Sequence, residues 1–163
     1  MTKLTIDVDD EWSVEYIHHL STIVDLSKID KIIFNPDIHH QSITNTVISI
    51  NLLMKLASHL SSLTIHPYVS HYQSEENPDD ITFMQYICSM IPTNVKYLEI
   101  SVRNIENMKL IFNHHRHHLW SLTFLAALNQ SICWSEFIFL LHEKNENFTY
   151  WDSFYSLHIW LGN

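Results

Sequence analysis

A chain of 163 residues with 46 % hydrophobic and 17 % charged content is long enough to bury a core and too apolar for a disordered segment. Its net charge of −9, with no run of lysine or arginine to offset it, argues against nucleic acid and anionic membrane as main partners. Histidine is abundant at 13 copies, so much of the negative charge cancels as pH falls through about 6.5, where a free imidazole titrates.

The predicted elements alternate from the first residue. Met1, Leu4 and Ile6 form an apolar triplet spaced i, i+3, i+5, whose last two members share one side of a strand. Asp10 caps a helix running to about Ser27, with Val14, Ile17, Ile23 and Val24 near one stripe. The triplet returns as Ile29, Ile32 and Phe34, and Thr44 or Asn45 opens a second helix through Val47, Ile50, Met54 and Ala57. Leu60, Leu63 and Ile65 follow, then a polar loop from Pro67 to Pro78. Asn77-Pro78-Asp79-Asp80 opens the third helix with a capping side chain, a proline at the first helical position and two acids that suit the helix dipole.

Val95, Leu98 and Ile100 precede a fourth helix opened by Asn104. Leu119, Leu122 and Phe124 precede a fifth opened by Ser131, with Ile132, Ser135, Ile138 and Leu141 on one side. Glu143 to Asp152 reads as a polar loop before the last triplet, Phe154, Leu157 and Ile159. Cys88 and Cys133 fall inside apolar helical stretches and read as buried free thiols. Gly162 is the only glycine, so left-handed helix ends fall to Asn35, Asn94, Asn113 and Asn145.

A strand and a helix repeated every 24 to 35 residues predict parallel strands laid down in sequence order. The residues between the triplet members, Thr5, Ile33, Thr64, Glu99, Thr123 and His158, are mixed in character, which predicts one sheet face open to water. The fold expected is α/β: a right-handed solenoid of strand–helix repeats, with about six parallel strands and helices on one side, forming one domain over residues 1–163. A two-sided α/β sheet is the rival. Both outer strands would leave unpaired backbone, which implies a piece of a longer array or edge-to-edge pairing with another copy.

Leu60-Ser-Ser-Leu63-Thr-Ile65 and Val95-Lys-Tyr-Leu98-Glu-Ile100 resemble the strand segment of leucine-rich repeats, of the ribonuclease-inhibitor-like and F-box-associated kinds. The family's laddering asparagine has no counterpart, because the corresponding residues are Asp9, Asp37, Tyr68, Arg103, Ala127 and Gly162. The resemblance implies a protein-interaction scaffold and, by extension, the substrate-recognition part of an F-box-type ubiquitin-ligase receptor.

Such arrays bind along rows of side chains on the strand face. The candidate protein-binding residues are Thr64, His66, Glu99, Ser101, Thr123, Leu125, His158 and Trp160. They belong to two rows, Thr5-Ile33-Thr64-Glu99-Thr123-His158 and Asp7-Asn35-His66-Ser101-Leu125-Trp160, with Trp120, Leu125 and Trp160 gathered at an aromatic C-terminal end. A metal-binding or pH-responsive protein is the second reading: in His114-His115-Arg116-His117-His118, His114 and His118 lie four apart on a helix face. Capping of the last helical carbonyls is the plainer role for that run, and no metal is assigned. A small enzyme with a site assembled from distant residues comes third, since a single glycine excludes a P-loop, a dinucleotide fingerprint and a glycine-flanked serine elbow. The chain is thus expected to be a non-enzyme without cofactor. Its expected partner is a protein rather than nucleic acid or membrane, and its expected compartment cytoplasmic.

Overall fold

The computed structural model describes residues 2–8, 13–36, 43–66, 78–126, 132–144 and 147–162. Met1, Asp10, His39, His40, Asn77, Ser131 and Asn145, and most of the expected loop between Pro67 and Pro78, lie outside these residues. Over the described residues the fold is α/β, with one seven-stranded mixed sheet and five α-helices. In chain order the elements are β1 (Lys3–Val8), α1 (Val14–Ile23), β2 (Lys31–Pro36), α2 (Ile43–Leu56), β3 (Ser62–Ile65), α3 (Pro78–Met90), β4 (Tyr97–Val102), α4 (Ile105–His115), β5 (Ser121–Ala126), α5 (Trp134–Glu143), β6 (Phe148–Asp152) and β7 (Ser156–Leu161). No helix among the described residues is long and apolar enough to cross a membrane.

Local chemistry sets the helix starts. Asn104 caps α4 by accepting from the Asn107 N–H at 2.9 Å. Pro78 begins α3, where its missing N–H costs nothing. Ser13 stands at the N-cap of α1, and a separate 3₁₀ turn over Leu26–Lys28 replaces the last part of the long first helix expected to run to Ser27. Helix α5 starts at Trp134, later than the Ser131 opening predicted, so Cys133 is an exposed N-cap and not a buried helical thiol. Its buried stripe is Trp134, Phe137, Ile138 and Leu141, while Ser135 is exposed. Cys88 is buried as expected, and burial pushes its thiol up to about 12. Asn113 lies inside α4 and Asn35 inside β2, and the residues after α1, α4 and α5 all keep negative φ, so no left-handed asparagine ends these three helices.

Strands β1 to β5 are parallel and in sequence order. Each helix touches the next, and strand residues of one parity join the inner helix residues in one core. The leading triplet members Ile29, Leu60, Val95 and Leu119 are buried there, as are the later members from Ile6 to Phe124, except half-buried Leu4. A backbone pattern repeats at each strand entry. The paired N–H groups of Asp30 and Lys31 donate to the Thr2 carbonyl, those of Ser61 and Ser62 to Asp30, those of Lys96 and Tyr97 to Ser61, and those of Trp120 and Ser121 to Lys96. Successive strand entries are therefore joined by main chain at this corner, and the Asn94 amide adds a side-chain bond to the Leu60 carbonyl.

The sixth expected parallel strand is a correction. Phe148–Asp152, read as part of a polar loop, is strand β6, and β7 lies antiparallel between β5 and β6, giving the order β1-β2-β3-β4-β5-β7-β6. Residues 153–155 are all that separate β6 from β7, whereas a parallel crossover needs a dozen or more residues. The short link forces a hairpin. Ser153 and Ser156 close it through a backbone bond of 2.8 Å and a hydroxyl pair at 2.8 Å. Phe154, in the turn, is 72 % exposed instead of buried.

Candidate functional site

The sheet face away from the helices carries two uninterrupted rows of side chains. The middle row is Thr5-Ile33-Thr64-Glu99-Thr123-His158-Trp151, and the second is Lys3-Lys31-Ser62-Tyr97-Ser121-Trp160-Thr149. The antiparallel sense of β7 leaves the middle row as expected, because His158 sits opposite Thr123 in either sense. It overturns the other expected row: Ser156, not Trp160, stands opposite Leu125, and Trp160 stands opposite Ser121. Leu125 and Trp160 are thus separated by four residues, roughly 13 Å along the strands. The expected gathering of Trp120, Leu125 and Trp160 does not form. Trp120 instead meets Tyr97 edge to face, with ring centres 6.0 Å apart.

Polar groups at the centre of this face are fixed by one another. His66 Nε2 lies 3.1 Å from Glu99 Oε1, and His66 Nδ1 lies 3.2 Å from Ser101 Oγ. With its proton on Nε2, His66 donates to the carboxylate and accepts from the serine, the tautomer the carboxylate favours. The hydrogen bond from His66 holds the Glu99 carboxyl below its usual range; the charges of His66, Lys31 and His158 add to this, and partial burial opposes it. On the next strands, His158 Nδ1 lies 3.0 Å from Thr123 Oγ1 and Nε2 lies 3.2 Å from Ser156 Oγ. Trp151 and Trp160 flank that imidazole at 5.1 and 6.3 Å between ring centres.

Of the eight candidate residues, Thr64 and Thr123 are buried beneath their neighbours, and His66, Glu99, Ser101, Leu125 and His158 are half-buried. Trp160 is exposed at 47 %. An open cavity of about 320 Å³ runs over Lys31, Thr64, Tyr97, Glu99 and Thr123. Sequence reasoning missed Trp151, Tyr97 and Lys31 as members of the face. Phe148-Thr149-Tyr150-Trp151 is a run of strand-favouring residues, and that signal would have revealed β6 and with it Trp151.

Ser101, His66 and Glu99 follow the connectivity of nucleophile, base and orienting acid. The backbone N–H groups of paired strands lie in the plane of the sheet, whereas these side chains stand above it. The sheet backbone therefore does not converge on an oxyanion beside Ser101.

The histidine run is arranged differently from the helical pair expected. Helix α4 ends at His115, so His118 lies in the following turn and does not share a helix face with His114. His114 Nδ1 donates to the Leu110 carbonyl at 2.8 Å, one turn back inside the helix, and so does not cap its last carbonyls. The ring contacts run from His114 to His115 and from His115 to His118. No group of three or more histidine, cysteine or acidic side chains among the described residues could hold a metal ion. No protein-family model, no curated protein and no solved structure matches this chain.

Proposed function

We propose that this chain is a protein-interaction module that holds a partner protein on the open sheet face. One observation carries the reading: two side-chain rows cross the seven strands with no helix of the described residues over them, with preset hydrogen-bonding groups at the centre and tryptophans at one end. Glu99, His66 and His158 offer an extended polypeptide charged and neutral partners already oriented by the sheet. Trp151, Trp160 and Tyr97 offer large apolar contacts of the kind that dominate binding energy. Thr64 and Thr123 act from below as supports.

The finer architecture proposed is a right-handed solenoid of leucine-rich-repeat type, closed at its C-terminal end by the hairpin. The repeated main-chain bonds at the strand entries support it. The link to a ubiquitin ligase comes from the resemblance alone, and no residue of the face argues for it. Binding is favoured over catalysis because the triad-like set lacks converging oxyanion donors from the sheet backbone.

A photo-crosslinking side chain at position 99 or 160 tests the surface in extracts of the native source. Both positions are expected to label one protein, and positions 16 and 23 on α1 none. Trp160→Ala should reduce capture roughly tenfold or more, as loss of an aromatic anchor does. Leu125→Ala, at the far end of the face, should reduce it less. Labelling from α1 with silence at 99 and 160 would end this reading.

A further inference from the structure

The two edges of the sheet are unlike. Edge strand β1 carries Lys3 and Asp7, charges of the kind that blunt an edge. Edge strand β6, Phe148-Thr149-Tyr150-Trp151-Asp152, holds a single charge at its end, has no proline, and pairs with β7 without a bulge. Tyr150 and Trp151 are 44 % and 56 % exposed. Among the described residues no strand lies beyond β6.

The hairpin register says which backbone groups face outward. The Ser153 N–H donates to the Ser156 carbonyl, and the Gly162 N–H to the Asn147 carbonyl. Residues 147 and 153 thus turn their backbone toward β7. Backbone direction alternates along a strand, so Thr149 and Trp151 do the same. Phe148, Tyr150 and Asp152 direct their N–H and C=O groups to the open edge.

We propose that β6 pairs antiparallel with β6 of a second copy of this chain, about a two-fold axis at Tyr150, joining the two sheets into one. In this register Tyr150 faces the partner's Tyr150, and the two exchange reciprocal N–H to C=O bonds. Phe148 and the partner's Asp152 satisfy each other's outward groups, and symmetry repeats this at the other end. Thr149 falls opposite the partner's Trp151 on the open face. The two aspartates stand at opposite ends of the seam, four residues or roughly 13 Å apart, so no like charges face each other. The strand is therefore complementary to itself, which is what a closed isologous dimer requires. Pairing of β6 with β1 would be heterologous, without the two-fold axis that closes a dimer.

Sedimentation of the full chain across a wide concentration range should show a monomer–dimer equilibrium. Tyr150→Pro deletes the central donor, whose N–H serves no bond among the described residues of the monomer, and proline is tolerated on an edge in that orientation. It should weaken dimerisation roughly tenfold or more while circular dichroism stays unchanged. In a Cys133→Ser background, Thr149→Cys and Trp151→Cys chains mixed under mild oxidation should form a disulfide heterodimer, and neither should crosslink alone. A monomer at every concentration overturns the proposal. So does a dimer that Tyr150→Pro leaves intact, or crosslinking indifferent to the mixture. Should Tyr150→Pro fail to fold, the cysteine pair decides by itself.

Discussion

Leu119 and Phe154 hold the same place in their triplets, three residues ahead of Leu122 and Leu157, yet Leu119 is fully buried and Phe154 is 72 % exposed. The difference lies in what delivers the chain to the strand. Ahead of Leu119 a helix ends at His115, and the turn that follows swings the next apolar side chain under the helix layer. Ahead of Phe154 lies strand β6, and the turn is a hairpin whose tip points to solvent. The same spacing is thus a core signal only where helix precedes strand. Leu119→Ala should cost about 2–5 kcal/mol, the range for a buried leucine that leaves a cavity, whereas Phe154→Ala should fall within about 0.5 kcal/mol. Urea unfolding of both variants checks this, and equal losses would erase the distinction.

The regions also keep their histidines differently. His158, on the hairpin, has a hydroxyl partner at each ring nitrogen. His115, at the end of α4, is 3 % exposed, and among the described residues neither ring nitrogen makes a well-formed hydrogen bond, the Cys88 backbone offering only a weak one. Burial first, then the neighbouring His118 and His114, lower its pKa to about 4, with the Cys88 backbone opposing only partly. An unfolded histidine titrates near 6.5, so between about 6.5 and 4 the unfolded chain takes up a proton that the folded chain refuses. Stability is therefore full above that window and falls as pH drops through it, by up to about 3 kcal/mol. His115→Leu should reduce the loss between about pH 7.5 and pH 5, above the range in which Glu99 gains its proton, leaving the part due to His118, whose pKa burial also lowers. Urea midpoints at the two pH values give the measurement. A variant that loses as much as the parent would place the acid sensitivity elsewhere.

Much of the parallel region was legible because local signals there agree. Apolar pairs at alternate positions, Asn104 as a cap and Pro78 at a helix start each identify an element that packing then keeps. The helix-free face followed from the mixed residues between the pairs, and Glu99, His66 and Ser101 do meet on it. The hairpin was not legible because the triplet carries no direction. Phe154-Leu157-Ile159 fits a strand of either sense, and only the three-residue link to β6 decides it. Having missed β6, a reader places Trp160 beside Leu125 instead of Ser121. The acid-sensitive histidine was hidden for another reason: His115 is the second of five consecutive polar residues, four of them histidine, and only the helix end decides which one turns inward.

If the hairpin is an addition held to the parallel region, its tethers should matter to it more than to the rest. The Trp134 Nε1–H donates to the Ser153 carbonyl at 2.9 Å, tying the first turn of α5 to the corner where β6 becomes β7. The ring itself is buried, so Trp134→Phe keeps most of the packing and removes the bond. The expected loss is about 1 kcal/mol, the usual net value of such a hydrogen bond. Its distribution is more telling than its size. Amide exchange should quicken in β6 and β7 while β2 to β4, buried under helices on one side and flanked by strands on both edges, hold their protection. Uniform quickening would mean that hairpin and parallel strands open as one unit. The exposed turn at Phe154 would then reflect the geometry of a tight corner and not a separately held element.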